Sequence, residues 1–495
     1  MSTAVDASAV ARVVGIKTSF VNLRGGVALL PQRIAIVGQG SSLSVYSNDK
    51  AQVTSALEVA QTYGFGSPLH LAALQLFPTN GDGVGTIPVT VYPLDDDGGG
   101  APSTGDITPT VVPTEAASYI VRINNIDSEQ FVIPLGASVA DVTLLMTNAI
   151  NATLEMPVIA ADGATVTNLT SKWEGTSAND IYVEVIGSAT VGNSFVVTQP
   201  VGGLINPNID AALAQVGNIW ETMVLNCLDI ADTATLTKYA TFGDGRWGAL
   251  VRKPLVVFTG NTASTVTLAT AVSDARKTDR TNSQLVAPSS NDLPFVVASR
   301  QLARIAVLAN NNPPHDYGSQ AATGLTPGAD GVQWTYPERD AAVKAGSSTI
   351  EVKDGVVNIS DVVTFYHPTG DVTPAYRFVV DIVKLQNIIF NLDLIFATAE
   401  WDGAPLIPND QPTANRSAKK PKMAVSAISS MIDSLALQAI LSDPSTAKAN
   451  TFAEISSTNP KRLDARTTVQ LSGNSNIISV DLDFGFFFGT PTVVA

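Results

Sequence analysis

Residues 33–42, Arg-Ile-Ala-Ile-Val-Gly-Gln-Gly-Ser-Ser, offer the first chemistry in the chain. An apolar run (Ile34, Ala35, Ile36, Val37) leads into Gly38-Gln39-Gly40, as a strand leads into a phosphate-binding turn. A dinucleotide fingerprint needs a third glycine, so that the following helix packs close and aims its N-terminus at the pyrophosphate. Here that place is Leu43. Glu58, the acidic residue about twenty positions on, falls in an expected helix and not at a strand end, where a ribose ligand belongs. A Gly-Lys-Ser/Thr loop is absent. The stretch therefore reads as a glycine-rich turn closing an edge strand.

The other reactive side chains are scattered. His70, His315 and His367 lie far apart in sequence, without the spacing of a metal site. His70 falls on an apolar helix and reads as a core or boundary residue. Cys227 ends an apolar strand and reads as inert packing; one cysteine also excludes an intramolecular disulfide framework. No G-x-S-x-G elbow occurs. Asp95–Asp97 reads as an acidic loop in preference to a weak calcium site, and no pair of carboxylates is singled out for glycoside hydrolysis. The residues select no catalytic group, no metal and no cofactor. A basic cluster (Arg416, Lys419, Lys420, Lys422), followed by Lys461, Arg462 and Arg466, stands out in a chain of net charge −15. It is either a solvated loop or a positive patch for an acidic protein partner.

The bulk composition narrows the class. The 495 residues are 45% hydrophobic and only 15% charged, which suits a chain that buries much of its surface, other chains included. The acidic balance disfavours nucleic-acid wrapping. Residues 1–10 lack the basic and apolar regions of a signal peptide. The longest apolar stretch, 378–399, is interrupted by Asp381, Lys384, Gln386, Asn387, Asn391 and Asp393 and does not suit a membrane span. A soluble protein made inside the cell is expected.

The elements follow from periodicity. Val14, Ile16 and Phe20 alternate as one strand with no neighbouring partner. Strand 34–37 leads to a helix expected from about Asp49 to Tyr63 capped by Asn48, an apolar helix in SPLHLAALQLF and a strand in TIPVTVYPL. DDDGGGAPSTGD (95–106) reads as a linker, and PVGGLINPN (200–208) as a matching exit. Between them lie a hairpin, a helix capped by Ser138 and further strands, a small α+β module set within the first domain. Strands and helices alternate after 208, which implies an open α/β sheet. A hairpin on Asp354-Gly355 follows, then two long helices. The expected closing hairpin puts Ile478, Val480, Leu482, Phe484, Phe486 and Phe488 on one face, an aggregation hazard unless something pairs with it.

In order along the chain, FGSPLHLAALQLFPTNGDG with TIPVTVYPL, then YPERDAAVKAGSSTIEVKDGVVNISDVVTF, then NPKRLDARTTVQLSGNSNIISVDLDFGF resemble the tail sheath proteins of contractile bacteriophages, Mu-like phages especially. Val363-Thr364 departs from the pattern, lacking the arginine that many sheaths carry before the threonine. The resemblance implies α/β and α+β domains: an N-terminal arm at 1–24, an α/β core at 25–94 plus 209–364, an inserted outward-facing module at 95–208, a C-terminal inner domain at 365–476 and a C-terminal arm at 477–495. It also implies a structural role and no enzyme activity: stacked hexameric rings around a tail tube, linked when the arms (Val14, Ile16, Phe20, Ile478, Val480, Leu482, Phe484, Phe486) add strands to neighbours. The implied partners are other copies of the chain, the tube protein, and baseplate and tail terminator proteins, in a virion tail assembled in the host bacterial cytoplasm. The basic cluster, with Lys461 and Arg462, would face the tube. A nucleotide-dependent α/β enzyme, an exported surface-layer protein, and the sheath of a tailocin or secretion system remain alternatives.

Overall fold

The computed structural model describes residues 28–110, 116–188, 195–262 and 264–484. Val14, Ile16, Phe20, Phe486 and Phe488 lie outside them. The chain divides into two compact units. The larger comprises Leu30–Ile389 with the chain from Leu471 onward; the smaller comprises Phe390–Gln470 with the chain up to Leu29.

The larger unit opens with β1 (Ile34–Gln39), β2 (Ala51–Val53), α1 (Ala56–Tyr63), α2 (Pro68–Leu76) and β3 (Val89–Leu94). The helix expected from Asp49 starts later. Val53 is buried where residues 51–53 pair antiparallel with β3, and Ser55 caps the helix by accepting from Glu58 N–H. Glu58 closes the cap by accepting from Thr54 N–H at 2.9 Å, which gives it a structural task.

The chain then leaves this layer through β4 (Pro102–Pro109), β5 (Ala117–Ile123), β6 (Ile126–Asp127), β7 (Phe131–Ile133), α3 (Val139–Ala152), β8 (Val158–Asp162), β9 (Thr167–Glu174), β10 (Val183–Gly187) and β11 (Phe195–Val201). These strands form two four-stranded sheets. The expected linker thus becomes a strand from Pro102, lying between β11 and β9. Its composition misleads because Gly105 is there for close approach: a Cβ would meet Thr198 O at 2.5 Å. Asn124 and Asn125, at φ 46° and 66°, make the two-residue turn that joins β5 to β6. Ser138 and Asp141 form a capping box at the start of α3.

After 208 come α4 (Asp210–Val216), β12 (Met223–Asn226), α5 (Thr233–Trp247), β13 (Val256–Asn261), α6 (Val266–Ala275), β14 (Asn282–Leu285) and α7 (Pro294–Asn311). The main sheet has the order β14-β13-β12-β1-β3-β2, parallel except for β2. β1, β3, β12 and the first half of β13 are mainly apolar because both faces are covered, while β14 (Asn282-Ser283-Gln284-Leu285) is buried but mostly polar. β1 lies inside the sheet between β12 and β3, not at the edge expected from the sequence. Ile34, Ile36, Val89, Val91, Leu225 and Phe258 share one core with α2 and α7. Ala35, Val37, Tyr92, Val224 and Val257 face the other way, against α4 and α5. The first core runs on without a break into Val121, Met146 and Trp173 of the intervening sheets. Trp173 meets Phe295 of α7 edge to face at 6.1 Å. The unit continues through α8 (Tyr336–Lys344) and the expected hairpin β15 (Thr349–Lys353) and β16 (Val356–Asp361) into α9 (Val379–Phe396).

The division at 389/390 falls inside α9 and not at the expected 365. Residues 365–389 stay with the larger unit because Phe365 is buried there and Val379, Val380, Ile382 and Val383 are part of its core. The smaller unit holds the rest of α9, α10 (Pro421–Leu437), β17 (Leu441–Ser442), α11 (Pro444–Ala449), β18 (Phe452–Ile455) and β19 (Leu463–Arg466). Its hairpin is β18 with β19. The expected closing hairpin does not form within the described residues: 472–484 carry no strand. Ile477, Ile478, Val480, Leu482 and Phe484 are each at least three-quarters exposed, the lowest at 76%.

Candidate functional site

A ligand on an open α/β sheet belongs outside the strand ends where the strand order switches direction. That switch is at β1, whose neighbours are β3 and β12, so Gly38-Gln39-Gly40 stands at the one place where a nucleotide would be sought. The crevice is filled by the protein's own side chains. Gln39 Nε2 donates to Asp96 Oδ1 at 2.5 Å and to Glu174 O at 2.7 Å, and Ser42 Oγ donates to Asp96 Oδ2 at 2.6 Å. The end of β9 lies across the turn, where Ser42 N–H donates to Lys172 O at 2.7 Å. Tyr46 Oη accepts from Gly40 N–H at 3.1 Å and donates to Leu94 O at 2.9 Å.

Both glycines serve packing. A Cβ on Gly38 would sit 2.8 Å from Cys227 Cβ, and one on Gly40 would sit 2.3 Å from the Tyr46 ring. The electrostatics also oppose a phosphate. Asp95, Asp96 and Asp97 follow β3, and burial with the neighbouring Asp96 and Asp97 charges raises the Glu174 carboxyl. A small recess beside them is lined by Asp180, Cys227 and Asp229. Burial there, with the Asp229 charge, pushes the Asp180 carboxyl up to about 7.

The remaining candidates have structural partners. Burial pushes the Cys227 thiol up, away from the reactive thiolate. His70 is buried and lowered to about 4, first by desolvation and then by Lys172; the neutral ring accepts from Gly66 N–H at 3.0 Å. His367 bonds Asp274 at 3.2 Å, while His315 bonds Asp316 O at 2.6 Å. Lys172, its amine lowered to about 8 by burial, donates to Phe65 O and Leu154 O. Among the described residues no cluster of three metal-ligating side chains occurs, and no helix is long and apolar enough to cross a membrane.

The basic cluster does not form one cationic surface. Lys419 is buried, ion-paired with Glu400 and stacked 5.3 Å above the Trp401 ring. Lys420 donates to Asn409 O and Gln411 O, fastening the loop before α10. Arg462 pairs with Asp464 at 2.6 Å. Sequence distinguishes a pinned lysine from a free one only if its acceptors can be foreseen, and here they are loop carbonyls and one distant glutamate. Arg416, Lys422, Lys461 and Arg466 remain exposed, with no salt bridge among the described residues.

No family model matches the chain. It is 22% identical over 352 residues to the Mu-like prophage FluMu tail sheath protein of Haemophilus influenzae, covering 70% of each chain. Among solved structures it is distantly similar to a sheath tail protein of Listeria innocua (TM-score 0.47, 13% identity, 90% of this chain and 93% of that one). A sheath tail protein of Desulfitobacterium hafniense gives a TM-score of 0.46 at 12% identity, with 92% and 100% covered.

Two outcomes follow from the packed switch point. Gly40→Ala should destabilise the larger unit by about 1–3 kcal/mol, read by chemical denaturation, because the Tyr46 ring must give way. Asp180→Asn should act in a pH-dependent way. A carboxyl raised in the fold opposes folding once ionised; the cost is absent below its unfolded value and grows as pH climbs towards the folded one. The variant should therefore gain roughly 2 kcal/mol at about pH 8, allowing for partial exposure, and nothing at about pH 3, in thermal melts.

Proposed function

We propose that this chain, whose resemblance to contractile-tail sheath proteins is borne out by the FluMu relative, is a structural subunit of such a sheath. Its copies stack as hexameric rings around a tail tube and shorten to drive the tube through a host envelope. The observation that carries this reading is the 22% identity sustained over 352 residues. Two features of the chain support it. The crevice where an enzyme of this fold would bind a nucleotide is closed by Gln39, Asp96 and Glu174. Ile477, Ile478, Val480, Leu482 and Phe484 lie open to solvent, and among the described residues 472–484 carry no strand, which suits a segment that completes a neighbour's sheet. Contacts of that kind are head-to-tail and generate an open helical polymer.

On this reading the terminal segments 1–24 and 477–495 are the arms, and 95–208 is an insertion facing outward. The partners are further copies, a tube protein, and baseplate and terminator proteins at the two ends. Arg416, Lys422 and Lys461 would meet an acidic tube, while Lys419, Lys420 and Arg462 serve the fold.

Negative-stain microscopy of the purified chain at rising concentration tests the reading. Hollow striated tubes are expected; uniform small particles at every concentration would count against it. Charge reversal at Arg416, Lys422 and Lys461 together should weaken co-assembly with the tube protein and leave tube-free polymers intact. Unchanged co-assembly would remove the tube-facing role.

A further inference from the structure

The polar residues that interrupt the apolar run 378–399 lie on α9, and several are fully buried. Asp381, Lys384, Asn387 and Asn391 are spaced three, three and four apart and therefore lie along one side of the helix. None of them belongs to the crevice at β1. Lys384 is wholly buried, and its ammonium donates to Asp381 Oδ1 at 3.1 Å, Ser472 O at 2.7 Å and Asn474 Oδ1 at 2.8 Å. An ammonium has three N–H donors, so these acceptors satisfy all of them, and the carboxylate offsets the charge. Two of the three acceptors belong to the root of the C-terminal segment. Asn474 Nδ2 donates in turn to Pro314 O at 2.7 Å.

One turn further along, Asn387 Oδ1 accepts from Leu30 N–H at 2.8 Å, at the root of the N-terminal segment. Asn310 of α7 accepts from Gln32 N–H two residues on, at 3.2 Å. The roots of both termini are therefore fastened to positions three residues apart on one helix.

We propose that α9 is the common mooring of the two terminal segments, with Lys384 holding the C-terminal root and Asn387 the N-terminal one. The proposal rests on the strand-exchange reading given above. Peeling residues 472–474 away would leave Lys384 buried with Asp381 alone, so the segment resists detachment up to Asn474. A pull on either arm is delivered to the same turn of the same helix. The subunit can then pivot between neighbours while its two links keep a constant separation at their origin. Lys384 and Asn387 are positioning residues: both are buried and act through the segments they hold.

The test uses the full chain with Lys384→Met, which keeps the stem's volume and removes the donors, and Asn474→Ala, which alters only the root. Assembly is followed by sedimentation and microscopy, mooring by hydrogen exchange at amides 472–476, and the fold by thermal melting. Both variants should raise the concentration for half-assembly at least about tenfold and speed exchange at 472–476 by a similar factor, with exchange in β1 and β12 unchanged. Wild-type assembly and wild-type exchange in both variants would overturn the mooring. If Lys384→Met fails to fold, Asn474→Ala decides by the same readouts. A chain ending at Asn474 separates the two ideas. Tubes formed by it at the wild-type concentration would overturn strand exchange, while fast exchange at 472–474 in Lys384→Met would still establish the clamp.

Discussion

A parallel sheet must be covered on both faces, and its carboxyl edge leaves a crevice wherever the strand order reverses. Most of the larger unit can be understood as the closure of that crevice at β1. The chain leaves β3 through Asp95–Asp97, builds two further sheets and returns near Leu204, where Ala101 N–H bonds Leu204 O at 3.1 Å. This excursion brings Glu174 and Lys172 over the turn after β1, and Asp96 completes the plug. An acidic, hydrogen-bonded plug replaces the space and the positive potential that a phosphate would require. The same closure joins the excursion to the main core through Trp173, so these sheets do not behave as a bead on a linker.

The parts legible in sequence are those whose pattern has one physical solution. Continuous apolar runs such as Ile34–Val37 have no stable place but a strand covered on both faces. Asp354-Gly355, at φ 50° and 72°, suits the turn of a tight hairpin. Ser138 followed by Asp141 marks a helix start. The misread parts are those where local composition and tertiary pairing conflict. Residues 51–53 sit ahead of a helical pattern but complete an edge strand on β3. Residues 102–106 have the glycine, proline and aspartate of a linker, yet that glycine lets β4 lie close to β11. Lysines 419 and 420 look like surface charge until the loop that supplies their acceptors is folded.

The closing run is a different kind of misreading. Its alternation at 478, 480, 482 and 484 is a strand pattern, and strand propensity expresses a fit to neighbours more than an intrinsic backbone preference. Among the described residues the run carries no strand, and both Ile477 and Ile478 face solvent, against the expected single apolar face. A monomer that kept so much exposed apolar chain would be prone to association, and under the sheath reading association is the purpose.

The buried stripe on α9 is the counterpart of that exposed run. Polar residues in an apolar helix are costly unless every donor and acceptor is met, and here the acceptors and donors come from the roots of the two terminal segments. Lys384 and Asn387 are therefore read correctly only when the termini are in place. From sequence they explain why residues 378–399 do not suit a membrane span, and nothing more. In the structure they fasten Leu30 and residues 472–474 to one helix. Both roots are fixed by satisfied polar contacts, and under the sheath reading the exposed apolar residues of 477–484 are left for another copy to cover.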